Sequence, residues 1–128
     1  MKKIDNYLRA ISQLETAISA YQGCTDDSLY RDGLIQRFEF TTELAWKSIK
    51  EYLEDQGASM AIASPRAVLK EAFSMGIIDD EDIWNKILQS RNLTSHIYDE
   101  ETAIIIANQI VNEFIVAFKK LETFYTTC

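Results

Sequence analysis

The only histidine of the chain, His96, lies in a polar stretch that also contains Arg91, five positions before it. A guanidinium stays charged at any working pH and presents a rigid fork of donors that matches phosphate oxygens. An imidazole gives or takes a proton near neutral pH. Cleavage of RNA without a metal requires such groups, because a base must act on the 2′-hydroxyl, an acid on the leaving oxygen and a positive charge on the phosphorane. The pair is therefore a candidate site for phosphodiester chemistry.

Arg91 and His96 also have an ordinary explanation, since a histidine in a polar loop is usually solvated and an arginine at a helix end usually binds a carbonyl or a carboxylate. Short motifs of this kind have a high false-positive rate. On an ideal helix, residues five apart lie about 140° apart around the axis, so the two side chains would not share a face. Asn92, Thr94 and Ser95 are weak helix formers, however. We therefore predict that the helix ends between Arg91 and His96 and that the bend lets both side chains point toward one place.

The number of proton-transfer groups predicts an assembly of two chains. Each chain supplies one histidine, whereas the reaction uses both a base and an acid. A two-fold homodimer with this stretch at its interface would place two arginines and two histidines in one cleft. Neither a metal site nor a cofactor is expected, because Cys24 and Cys128 lie far apart in the sequence and have no neighbouring histidine. They are expected to be free thiols in a reducing cytosol.

The composition favours a helical protein that forms one domain, residues 1–128. Apolar residues make up 47% of the chain, and the low numbers of glycine (4) and proline (1) disfavour a turn-rich β protein. The longest apolar run, at 103–107, is too short to span a bilayer and no signal peptide is visible, so we expect a cytoplasmic protein with no membrane partner. The net charge of −7 disfavours a broad basic surface for nucleic acid but permits a small pocket that binds phosphate locally.

The spacing of apolar residues predicts an all-α fold, namely an antiparallel helical bundle with a four-helix up-and-down core and an additional short helix. Helices are predicted over 4–21, 29–56, 64–76 and 79–92 and from 99 onward. Capping residues mark the starts of the later helices: Asp26, Asp27 or Ser28, then Ser64 with Pro65, then the acidic run 79–82, then Asp99. The second helix is predicted to bury Leu34, Phe38, Thr41, Ala45, Ile49 and Tyr52 or Leu53, with Phe40, Leu44 and Trp46 widening this stripe.

Two parts of the chain resemble a known family. They are the stretch 31–57 with its continuation 64–78, and the stretch 84–103, which contains the pattern of Arg, four residues, His, one residue, Tyr. Both are similar to the HEPN domain family, in particular to the small helical proteins described as nucleotidyltransferase substrate-binding proteins and as HepT toxins of HEPN/MNT toxin–antitoxin pairs. The resemblance covers nearly the full length and implies a single HEPN-like helical bundle domain.

This resemblance implies a toxin that is a metal-independent ribonuclease, acts at a dimer interface and is neutralised by a small nucleotidyltransferase of the MNT type. Arg91 would stabilise the phosphate charge, His96 would be the acid and base, and Asn92 would be a supporting polar group. The partner would transfer adenylate groups from ATP to Tyr98 and thereby switch the toxin off. The alternative for Tyr98 is a packing role between the fourth and fifth helices.

Glu43 and Lys47 are further candidates, four residues apart in the order that favours an ion pair along a helix. Polar residues on the corresponding helix assist in some HEPN nucleases, so the resemblance makes both of them candidate supporting residues. The alternative is a simple surface pair beside Trp46. Arg37, with Glu39 nearby, is a similar case.

Three functions remain open at this point. The first is a ribonuclease toxin, the second is a non-catalytic subunit that presents substrate to a separate nucleotidyltransferase chain, and the third is a helical scaffold with a vestigial site. The presence of Arg91, His96 and Tyr98 favours the first function over the third. It does not separate the first from the second, because a binding site could use the same residues.

Overall fold

Five helices form nearly all of the structure, a computed structural model that describes residues 1–59, 64–97 and 99–127. The helices are α1 (Lys2–Gly23), α2 (Ser28–Asp55), α3 (Pro65–Ser74), α4 (Glu81–Thr94) and α5 (Glu100–Thr126). A π-helical segment, Ile110–Phe114, interrupts the regular hydrogen bonding of α5. No strand occurs in these residue ranges. The predicted all-α fold is confirmed, and each predicted helix is present.

The central helix of the bundle is α2, which contacts all four other helices. The ring of Phe38 stacks on Phe114 with 5.5 Å between centroids, and Trp84 meets Phe118 edge-on at 5.5 Å. The predicted buried stripe is confirmed at Leu34, Phe38, Thr41, Ala45, Ile49 and Leu53. The prediction that Phe40 widens this stripe is wrong, since 55% of its surface is exposed. A residue two positions from Phe38 lies about 200° further around the helix axis and therefore faces away from the core.

Side-chain caps fix the starts of four helices, at positions that agree with the predicted ones. The side chains of Asp27, Ser64, Asp80 and Asp99 each accept a backbone N–H of the following turn, at 2.9, 3.1, 3.1 and 3.0 Å. Hydrogen bonds from the hydroxyl and the backbone N–H of Thr102 lower the pKa of Asp99. The carboxylate that starts α5 therefore stays ionised to a lower pH than an aspartate without these hydrogen bonds, and its negative charge interacts favourably with the helix dipole.

Two glycines end helices in the left-handed backbone region, Gly57 with φ of +94° after α2 and Gly76 with φ of +75° after α3. At the second turn, the N–H of Gly76 donates to the carbonyl of Phe73 and the N–H of Ile77 to that of Ala72. These hydrogen bonds satisfy the last carbonyls of α3. They require a left-handed backbone at position 76, which glycine adopts without the steric cost that a β-carbon would cause. The predicted end of the third helix at Gly76 is thus confirmed, and the turn leads the chain back so that α4 packs on α3.

The last helix, α5, is long and apolar enough by composition alone to cross a membrane. Contacts inside the bundle account for part of this composition, because Ile106, Ile110, Phe114 and Phe118 are buried in the core. The buried hydroxyl of Tyr7 donates to the backbone carbonyl of Phe118 at 2.9 Å and ties α1 to α5. The apolar residues of α5 that face the bundle therefore belong to the core, whereas Ile104, Ile105 and Val116 are exposed.

Candidate functional site

The predicted motif lies at the end of α4 and in the α4–α5 connection, residues 95–99. The helix ends at Thr94, and in the turn that follows, the backbone N–H of His96 donates to the carbonyl three residues earlier at 2.9 Å. The predicted helix end between Arg91 and His96 is confirmed. Tyr98 lies outside the described residues, so its role stays a prediction.

Arg91, in the last turn of α4, is held against α2 by two carboxylates. Its Nη1 lies 3.1 Å from Oε2 of Glu39, and its Nε lies 3.6 Å from Oε1 of Glu43. The second distance is within the range of an ion pair but is too long for a hydrogen bond, and this buried Nε has no hydrogen-bond partner. The C-terminal end of a helix dipole also favours a cation at this position. Two sources of negative charge therefore fix the direction of the guanidinium.

Glu39 is a site residue that the sequence reasoning missed, since it was considered only as a neighbour of Arg37. Its Oε2 accepts a hydrogen bond from the hydroxyl of Thr94 at 2.8 Å as well as pairing with Arg91. Arg37 instead donates to the backbone carbonyl of Gln13 at 2.8 Å. The sequence could have indicated Glu39, because it lies four residues before the predicted site residue Glu43. This spacing places both carboxylates on one face of α2.

Glu43 does not pair with Lys47, in contrast to the predicted ion pair along the helix. Oε2 of Glu43 accepts from the indole N–H of Trp46 at 3.2 Å, and Oε1 faces Arg91. The ammonium of Lys47 lies 5.7 Å from the centroid of the Trp46 ring, which is the distance of a cation–π contact. One carboxylate oxygen of Glu43 thus accepts a hydrogen bond and the other pairs with Arg91, while Lys47 lies over the aromatic ring beside them.

His96 and Asn92 both have exposed side chains. Within residues 1–59, 64–97 and 99–127, no hydrogen bond or ion pair involves the imidazole of His96, so none joins it to Arg91. The structure therefore confirms the helix end, and no hydrogen bond or ion pair joins these two side chains. An exposed imidazole of this kind is accessible to a substrate, with both nitrogens available for proton transfer.

The charge balance at this site limits what it can bind. Two carboxylates, Glu39 and Glu43, face one guanidinium, so the local charge of these three groups is −1. The remaining terminal nitrogen of Arg91, Nη2, makes no hydrogen bond to the described residues. Nη2 is therefore the guanidinium nitrogen that remains available to a phosphate oxygen. No cluster of three or more histidine, cysteine or acidic side chains with the arrangement of a metal site occurs in the described part of the chain.

Comparisons with known proteins identify a matching family model, a similar sequence and a similar solved structure. A family model described as "Nucleotidyltransferase substrate binding protein like" matches residues 2–126. A relative from Haemophilus influenzae (strain Rd), "Probable ribonuclease HepT", is 34% identical over 87 residues, which span 66% of this chain and 59% of that protein. A solved structure from Haemophilus influenzae, described as revealing the fold of a substrate binding domain of a nucleotidyltransferase, is 27% identical and has a TM-score of 0.83. The match covers 96% of this chain and 99% of the solved one.

The match of the family model extends over nearly the whole chain, and the solved structure shares the helical fold over almost its full length. The resemblance that was based on the stretches 31–57, 64–78 and 84–103 is therefore confirmed. This chain belongs to the family of nucleotidyltransferase substrate binding protein-like proteins, of which HepT-like proteins are relatives.

Proposed function

We propose that this protein is the toxin of a toxin–antitoxin pair and acts as a metal-independent endoribonuclease. The observation that carries the proposal is the arrangement at the end of α4. There Arg91 is fixed on α2 with Nη2 uncommitted, and His96 follows in a bend with its imidazole exposed. The name of the Haemophilus influenzae relative, probable ribonuclease, supports the same reaction class.

The proposed reaction is an intramolecular transesterification of RNA. One imidazole takes the proton of a 2′-hydroxyl, the 2′-oxygen forms a bond to phosphorus, and the bond from phosphorus to the 5′-oxygen breaks. A second imidazole gives a proton to that leaving oxygen, so the products are a 2′,3′-cyclic phosphate and a 5′-hydroxyl. Nη2 of Arg91 stabilises the negative charge of the phosphorane, and Glu39 and Glu43 keep the guanidinium in place.

A homodimer supplies the second imidazole in this proposal, because each chain has one histidine. Exposed apolar side chains surround the α4–α5 connection and support an interface there: Leu93 before it and Ile104 and Ile105 after it. A two-fold contact through these residues would cover apolar surface and bring the connections of both chains together.

We expect light scattering to show a dimer at micromolar concentration and Ile105→Glu to convert it to a monomer. A glutamate at the centre of an apolar contact would be buried without a partner, which is costly. Val116→Glu is the matched control, because Val116 lies further along α5 and is 51% exposed, compared with 52% for Ile105. A wild-type monomer, or equal dissociation by both variants, would contradict an interface at the connection.

A non-catalytic subunit that presents substrate to a nucleotidyltransferase is the second candidate function. Two observations favour it, namely the description of the solved relative as a substrate binding domain of a nucleotidyltransferase and the excess of carboxylates around Arg91. Both functions include a nucleotidyltransferase partner, so the partner alone cannot separate them.

Expression with and without a cognate nucleotidyltransferase separates the two functions. A toxin is expected to stop growth and fragment cellular RNA when it is expressed alone, and to do neither when the partner is co-expressed. Sequencing of RNA ends should then find cyclic phosphates at the cleavage sites. Normal growth and intact RNA in the absence of the partner would favour the substrate-binding function.

A further inference from the structure

Arg31 is the only charged side chain that is buried in the described part of the chain, with 3% of its surface exposed. It lies in the first turn of α2, far in sequence from the α4–α5 connection. Removing a guanidinium from water costs free energy unless its charge is paired and its donors are bonded. The contacts of Arg31 must therefore compensate for the free-energy cost of burying its charge.

The guanidinium of Arg31 joins three parts of the bundle. Its Nη2 donates to Oε1 of Glu100 at 3.0 Å, and its Nη1 donates to the backbone carbonyl of Thr25 at 3.4 Å. Its Nε is buried and has no hydrogen-bond partner. The ion pair is asymmetric, because the side chain of Glu100 is 71% exposed whereas that of Arg31 is excluded from water. The strongest of these contacts thus ties α2 to the first residue of α5.

Both ends of the α4–α5 connection are consequently attached to α2. The end of α4 is held through Arg91 and Glu39, and the start of α5 is held through Glu100 and Arg31. The two attachment points on α2 are eight residues apart, which corresponds to about 12 Å along the helix axis. His96 lies between them in sequence, and its imidazole makes no hydrogen bond of its own to the described residues. Its place is therefore set by the backbone that the two attachments hold.

A shallow depression of about 390 Å³, open to solvent, lies on the α5 side of the connection, and Arg31, Ile97, Asp99 and Glu100 are among the residues that line it. Ile97 is partly buried against the core and supplies an apolar contact. Arg31 and Glu100 both line this depression, and their ion pair of 3.0 Å is the salt bridge that joins the start of α5 to α2 among the described residues.

We propose that Arg31 is a positioning residue, which holds the α4–α5 connection through Glu100 so that His96 meets the substrate in the geometry that cleavage requires. This inference rests on the proposed ribonuclease function. Small displacements of a reacting group lower the rate strongly even when the substrate still binds. Arg31 therefore acts on kcat, through the placement of His96, and leaves KM nearly unchanged.

Arg31→Met is the variant that separates positioning from stability. It removes the buried charge and keeps an apolar side chain of similar length, while the exposed carboxylate of Glu100 remains solvated. Removing one partner of a buried ion pair is costly because it leaves the other charge buried, but the carboxylate of Glu100 is exposed, so this cost does not arise here. We expect an unchanged or higher melting temperature together with a fall in kcat of about 10-fold. Arg31→Lys, which keeps a donor for Glu100 but loses the fork, should recover part of the rate and carries the same test if Arg31→Met fails to fold.

NMR of the imidazole provides a readout that does not depend on RNA cleavage, because the single histidine of the chain gives one unambiguous set of signals. We expect shifted or broadened His96 signals in Arg31→Met. Lys86→Met is the matched control, since it removes an ion pair of 3.1 Å between α4 and Glu113 of α5 away from the connection. The control should leave the His96 signals unchanged.

Unchanged His96 signals and an unchanged cleavage rate in Arg31→Met would overturn the positioning role, as would equal changes in Lys86→Met. If the wild-type protein does not cleave RNA, the proposed function fails, and the NMR comparison still decides whether Arg31 holds the connection that carries His96.

Discussion

Replacement of His96 by alanine is expected to abolish RNA cleavage and toxicity while the fold stays intact. The exposed imidazole makes no hydrogen bond to the described residues, so its loss removes no contact that supports the bundle. Its loss removes the acid and the base from the proposed reaction, which lowers the rate by about 10²- to 10⁴-fold. The measurements are the rate of cleavage of a labelled RNA and the melting temperature of the same preparation.

Arg91→Ala is expected to reduce cleavage to a similar extent, because it removes the positive charge at the phosphorane. It also breaks the partly exposed ion pair with Glu39, so a loss of stability of at most about 1 kcal/mol accompanies it. Arg66→Ala is the matched control, since Arg66 is an exposed arginine on α3. The control should cleave at the wild-type rate.

A chelator is expected to leave cleavage unchanged, because the proposed chemistry uses only side chains of the protein. Inhibition by EDTA would contradict the metal-independent mechanism. Wild-type cleavage by His96→Ala would exclude this histidine as the acid or base and would leave the substrate-binding function as the better account of the site.

Tyr98→Phe is expected to remain toxic in the presence of the nucleotidyltransferase that neutralises the wild-type protein. In the adenylate transfer that the family resemblance implies, the phenol of Tyr98 loses its proton, its oxygen forms a bond to the α-phosphorus of ATP, and the bond from that phosphorus to the pyrophosphate leaving group breaks. The product carries a negative phosphate and a purine two residues from His96 in sequence. This phosphate would compete with RNA for Nη2 of Arg91, and the added bulk would obstruct the strand.

Mass spectrometry after co-expression measures the modification of Tyr98 directly. Adenylate-sized additions are expected on the wild-type protein and on Tyr30→Phe, a matched control at an exposed tyrosine of α2. They should be absent from Tyr98→Phe. If the partner neutralised Tyr98→Phe completely and no residue were modified, binding of the partner alone would explain the control of the toxin.

The helix boundaries were predictable because local chemistry determines them. A cap such as Ser64 or Asp99 needs only the backbone N–H groups of the next turn, and Gly76 needs only its own freedom at positive φ. The break after Arg91 followed in the same way from weak helix formers. Each of these signals lies within a few residues of the feature that it predicts.

The contacts that orient the candidate site were not predictable, because they join residues that are far apart in the sequence. Arg91 and Glu39 meet only when α4 packs on α2, and Arg31 and Glu100 meet only when α5 does. The spacing of Glu43 and Lys47 was compatible with an ion pair. Because α4 packs on α2, however, Arg91 lies close to Glu43 and pairs with it instead. Tertiary contacts thus decided which of several local possibilities was realised.

The attachment of both ends of the α4–α5 connection to one helix has a consequence for recombination between relatives. A chimera that receives the α2 of a relative takes residues 31 and 39 from that relative but keeps its own residues 100 and 91. Both ion pairs then join residues from two different proteins, and both can be lost together. A chimera that exchanges α2 together with residues 91–100 inherits both pairs complete. The residues that must be exchanged together are therefore not contiguous in the gene. They comprise α2 and residues 91–100, which are encoded more than thirty codons downstream of it.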